Sequence, residues 1–144
     1  MTMIENDARL RFGELVRLHT SGRRFLDREA ERKLLEEGLT RYNLSFDEAR
    51  GVVRAAVADS DVALEHDLAG TSTELLRTLA DRRGQVGRDD FEKAVAFYRA
   101  RAGKRVTVAE ARQRVKGLME EADLQPARAG RLIRTRRWYR QIEG

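Results

Sequence analysis

Three times along the chain a hydroxyl residue is followed three positions later by glutamate: Ser45 with Glu48, Thr71 with Glu74, and Thr107 with Glu110. In such a capping box the hydroxyl accepts from the amide three residues on, and the carboxylate reaches back to the cap amide. Each pair therefore marks a helix start by its own local chemistry. After Ser45 the apolar residues Ala49, Val52, Val53, Ala56 and Val57 recur at intervals of three and four, and after Thr107 so do Ala111, Val115, Leu118 and Ala122. Gly22, Gly70, Gly84 and Gly103 stand where helical runs end and a left-handed cap is expected. No segment alternates apolar and polar residues around hairpin turn chemistry. The reading is an all-α chain, a single bundle of about seven to eight short helices over residues 4–20, 27–42, 46–58, 62–69, 72–82, 88–102, 108–122 and 127–141.

The faces of these helices assign the core. Phe91, Val95, Phe97 and Tyr98, with Leu10, Phe12, Leu15 and Leu18 on the first helix, are read as packing residues, because aromatic and aliphatic stripes at helical spacing face an interior. An internal two-fold duplication is also expected. At an offset of 62, the run from Leu44 to Arg50 lies on the run from Val106 to Arg112, and Val53-Arg54 lies on Val115-Lys116. Duplicated helix pairs would pack as a pseudo-symmetric bundle.

The run Ala80-Asp81-Arg82-Arg83-Gly84-Gln85-Val86, followed by Asp89-Asp90, has a weaker counterpart in Ser21-Gly22 through Asp27 and Glu29. On these turns, over roughly residues 10 to 122, the chain resembles the tellurite-resistance-type helical domain of bacterial stress proteins. The resemblance implies an all-α fold and, in that family, acidic turns associated with metal. The same letters also resemble a decayed EF-hand loop, with Gly84, Val86 and Asp90 in the glycine, apolar and last-ligand places. Here Arg82, Arg83 and Arg88 crowd the turn, and an EF-hand register puts Leu79 and Arg83 at ligand positions. A divalent cation needs several oxygen ligands, so no metal is expected.

Other acidic and histidine residues are read as structural. Asp59, Asp61, Glu65, His66 and Asp67 form the densest cluster of possible ligands, taken as an exposed turn with Asp61 as N-cap. His19 sits at the end of the first helix, where the dipole favours a cation.

Composition closes several function classes. Cysteine is absent and His19 and His66 are the only histidines, which removes thiolate chemistry and the usual Cys/His zinc sites. Charged residues make up 37% of the chain against an apolar 41%, a mixture that reads as salt-bridged helices around a modest core. No phosphate-cradling glycine loop or nucleophile motif occurs, so neither an enzyme nor a cofactor is expected. Residues 1–7 lack a basic-then-apolar leader pattern and no long apolar span occurs, so the expected location is the cytoplasm.

Charge is distributed unevenly. Between Ala127 and Gly144 lie Arg128, Arg131, Arg134, Arg136, Arg137 and Arg140 against Glu143 alone, a local net of +5, which equals the net of the whole chain. Pro126, the only proline, divides a body of residues 1–125 from a basic C-terminal helix or arm of residues 126–144. As a helix, this segment would carry arginines all round its axis, unlike a membrane-surface helix, which separates its two characters. The expected function is a protein-interaction or adaptor module. It docks through Arg131, Arg134, Arg136, Arg137, Trp138 and Arg140 to an acidic protein surface or to a second copy of the chain. Nucleic acid is the alternative partner, and no membrane is expected. The other alternative function, from the resemblance, is a metal- or stress-responsive protein of the tellurite-resistance type. The structural alternative to a docking arm is that the segment folds back, with Leu132, Ile133, Trp138 and Tyr139 completing the core and the arginines pairing with carboxylates of the body.

Overall fold

The order helix, two-residue strand, helix, helix, two-residue strand occurs twice in the computed structural model, which describes residues 3–130 and 132–143, Glu5 by its backbone alone. The first pass is α1 (Met3–Thr20), β1 (Phe25–Leu26), α2 (Arg28–Thr40), α3 (Phe46–Asp59) and β2 (Ala63–Leu64). The second is α4 (Glu65–Leu79), β3 (Gln85–Val86), α5 (Arg88–Ala102), α6 (Val108–Glu121) and β4 (Gln125–Pro126), followed by the single-turn α7 (Arg137–Arg140). Seven helices among the described residues make this an all-α fold. The chain divides into two compact units, one ending at His66 and the other beginning at Asp67. Within each unit the two strands pair in parallel, β1 with β2 and β3 with β4.

In the first unit α3 packs against both α1 and α2, burying Phe12, Val16, Leu34, Ala49, Val53 and Val57. Ser45 and Glu48 form the complete capping box at the start of α3. Glu48 also ties α3 to α1, because Arg9 donates to its Oε2 through Nε at 2.9 Å and Nη2 at 2.6 Å. The Arg9 bonds, and then those from Ser45, hold the Glu48 carboxyl below the ordinary carboxylate range. Glu65, the first residue of α4, accepts from the Arg28 amide at 3.1 Å and so caps α2 from outside. Asp27 caps the same helix through Ala30 N at 2.8 Å.

Gly38 lets α2 approach closely: a Cβ built there would stand 2.9 Å from both the Phe12 ring and the Ala49 methyl. Gly38→Ala is therefore expected to destabilise the protein by about 1–3 kcal/mol through overpacking, measured by urea denaturation. Sixty residues on from Phe12 and Gly38 stand Ser72 and Tyr98, both buried. The bulky ring lies on the first helix of one unit and on the second helix of the other.

The second unit buries Leu76, Val86, Phe91, Val95, Tyr98, Val115 and Met119, and α5 packs on α6. Thr107 caps α6 by accepting from Glu110 N. Pro126 fits inside β4 because the parallel ladder draws on the amides beside it: Gln125 N donates to Gly84 O and Ala127 N to Val86 O.

Several local expectations give way here. Residues 62–69 and 72–82 are not two helices; α4 runs through Thr71, whose hydroxyl donates back to Asp67 O at 3.0 Å instead of capping, and Gly70 lies inside it. Asp61 has a left-handed φ of 53° and precedes β2, so it is not an N-cap. Leu10 and Leu18 are exposed on α1, and Phe97 lies beneath the Arg101 guanidinium, 3.8 Å from its ring centre, outside the buried core. The helix expected over residues 127–141 contracts to Arg137–Arg140. No described helix is long and apolar enough to cross a membrane.

Candidate docking site

Beyond β4 the chain turns into a small hairpin and then returns to the second unit. Ala129 and Thr135 form an antiparallel bridge, N to O at 2.7 Å and 3.0 Å. At Gly130 φ is 148°, and a Cβ built there would run into the Ile133 carbonyl oxygen. Only glycine closes this turn without displacing backbone. Pairing of Ala127 with β3 and the bend at Gly130 take the residues that would have formed the first two turns of the expected helix.

The root of the segment is fixed by five polar contacts and an aromatic cluster. Arg136 Nε donates to Pro126 O at 2.8 Å, and Trp138 Nε1 donates to Ala127 O at 3.0 Å. The Tyr139 hydroxyl donates to Lys116 O at 3.3 Å, while Lys116 Nζ donates to Tyr139 O at 3.3 Å and Ile142 O at 2.7 Å. The Trp138 and Tyr139 rings lie 5.3 Å and 6.2 Å from the ring of buried Phe91, centre to centre, in tilted and edge-on geometry. Such pairs add about 0.5–1.5 kcal/mol each beyond their buried area.

Burial, then the charge of and hydrogen bond to Glu120, push the Tyr139 hydroxyl up to about 12. Its value in an unfolded chain is near 10. The fold thus favours the protonated phenol. That contribution is complete below about pH 10 and is lost as pH rises toward 12, with an upper bound of roughly 3 kcal/mol. Emission from Trp138 is expected to move to the red through this window as the root loosens.

The tip of the hairpin has the opposite character. Leu132 is 97% exposed and Ile133 77% exposed. Among the described residues the guanidinium groups of Arg128, Arg134, Arg137 and Arg140 have no ion-pair partner, and all four residues are exposed. The six residues expected to bind a partner are therefore divided. Arg134, Arg137 and Arg140 carry unpaired charge, Arg136 and Trp138 hold the root, and Arg131 lies outside the described residues. Leu132 and Ile133, which the folded-back reading placed in the core, join the exposed group. The one sequence signal for this was Gly130.

A cleft of about 490 Å³ lies beside the root, lined by Arg88, Glu92, Arg112, Gln113, Trp138 and Ile142 among others. Arg112 bridges Glu92 across it, at 3.1 Å and 3.3 Å. At the turn that carries the family resemblance, Asp81 Oδ1 accepts from Arg83 N at 2.8 Å and Gln85 N at 2.9 Å. Its carboxylate closes the loop. Among the described residues no three histidine or acidic side chains are grouped to hold a metal ion. No family model, curated protein or solved structure matches this chain.

Proposed function

We propose that this protein is a non-enzymatic interaction module that docks a partner through its C-terminal hairpin. Leu132 and Ile133 are the apolar tip, and Arg128, Arg134, Arg137 and Arg140, all exposed on the same segment, are what we call its cationic collar. The observation that carries this reading is the adjacent aliphatic pair left in water on a turn whose base is anchored. Burying each side chain in a partner returns about 1.5–3 kcal/mol, and a rooted turn loses less conformational freedom on binding than a free arm would. The partner surface that fits is an apolar recess with an acidic rim.

Nucleic acid is the second reading. The arginines favour it, but the only aromatic side chains of the segment, Trp138 and Tyr139, are committed to Phe91 and are not free to stack on bases. A role like that of tellurite-resistance-type proteins rests on the turn resemblance alone. We also read the repeated element order, with a parallel strand pair in each unit, as descent from one duplicated unit.

A photo-crosslinking residue placed at position 132 in living cells tests the docking reading. Protein adducts are expected, and they should disappear when Arg134, Arg137 and Arg140 are replaced by glutamate. Adducts to nucleic acid alone would make the second reading correct, and the absence of any adduct would remove the docking reading.

A further inference from the structure

We infer that the hairpin of one copy seats in a groove on the first unit of another, so that the chain associates with itself head to tail. This rests on the docking reading above and names its partner. The groove, of about 730 Å³, lies between α1 and α2, with Leu15, Ala30 and Leu34 among its apolar lining. Its size is within the range of sites that enclose bound groups. Asp27, Glu29, Glu36 and Glu37 stand on its rim against Arg23, Lys33 and Arg41 as permanent cations.

The rim carboxylates are available to an incoming arginine. Glu29, Glu36 and Glu37 pair with the cation one turn along α2, at 3.6 Å, 2.7 Å and 3.8 Å, in exposed pairs of the kind that contributes little and exchanges readily. Glu37 Oε2 is itself buried and accepts no hydrogen bond from any described group, so of the three pairs those of Glu29 and Glu36 are the ones an arginine can exchange into. The charge balance of the two units points the same way. Residues 1–66 hold 13 acidic and 11 basic side chains, a net of −2, and residues 67–144 hold 11 acidic and 18 basic, a net of +7. Opposite net charges on the two units bring the basic end of one copy toward the acidic unit of the next. Tip and groove are different surfaces, so the contact is heterologous and can continue from copy to copy.

Sedimentation velocity of the full chain, from micromolar to near-millimolar concentration, tests this. The expected result is a weight-average mass that grows with concentration and falls back at high salt. Leu132→Asp with Ile133→Asp, and separately Glu29→Lys with Glu36→Lys, should each weaken association at least about tenfold, with helix content unchanged by circular dichroism. Mixing the tip variant with the groove variant restores one intact contact and should give a one-to-one complex that grows no further. A wild-type chain that stays monomeric throughout, or a tip variant that still associates, overturns the inference. In that case protein adducts from position 132 to a different partner would leave the docking reading intact.

Discussion

Replacing Phe91 with alanine is expected to destabilise the second unit by about 3–5 kcal/mol, the range for removing a fully buried aromatic ring. Phe91 is completely buried, and it is the residue on which both Trp138 and Tyr139 rest. The loss has two parts. The cavity weakens the packing around α5, and the aromatic root of the C-terminal segment loses its floor. Urea denaturation followed by circular dichroism reports the first part. The emission of Trp138, the only tryptophan, reports the second, and in the variant it should shift to the red well below the main unfolding transition. Simultaneous loss of both signals would mean that the root and the body form one cooperative structure.

The chain carrying Leu132→Asp and Ile133→Asp is expected to behave in the reverse way. Both side chains are exposed and neither is required by the fold, so stability should change by no more than about 0.5 kcal/mol. Docking, in contrast, should fall by more than about tenfold, because the apolar tip supplies the burial and the new carboxylates cancel part of the arginine collar. The two substitutions thus separate the function of the root from that of the tip. Gly130→Ala falls between them: its methyl would collide with the Ile133 carbonyl, so the tip is misdirected while Trp138 and Tyr139 stay in place. It should reduce docking with little change in Trp138 emission.

The helical fold was legible in the sequence because the caps and apolar periods of α3 and α6 are local signals. Ser45 and Thr107 accept from the amides their spacing designates. Thr71 has the same spacing and no cap, since a threonine inside a helix satisfies its hydroxyl on the carbonyl four residues back. The two-residue strands left no trace. A pair such as Phe25–Leu26 is too short to show alternation, and it exists because Ala63–Leu64 lies alongside.

The C-terminal segment was illegible for a related reason. Helical projection treats Leu132, Ile133, Trp138 and Tyr139 alike as apolar, yet their fates are set by tertiary partners. Tyr139 and Trp138 find Phe91, Lys116 and Ala127. Leu132 and Ile133 are held away by the turn at Gly130. Arg136 likewise could not be told from Arg134 or Arg137 before its bond to the Pro126 carbonyl was known. The concentration of positive charge was plain from composition, but which arginines are spent on structure was not.

A docking tip works only if its root is fixed, as opposed to a basic arm moving freely in solution. Acrylamide quenching of Trp138 fluorescence in the native protein tests this directly. A fixed root predicts emission to the blue of the urea-unfolded chain and a quenching constant well below it, since the indole is packed on Phe91 and bonded to Ala127 O. Native emission and quenching equal to those of the unfolded chain would contradict it, because Trp138 would then be free and nothing would present Leu132 and Ile133.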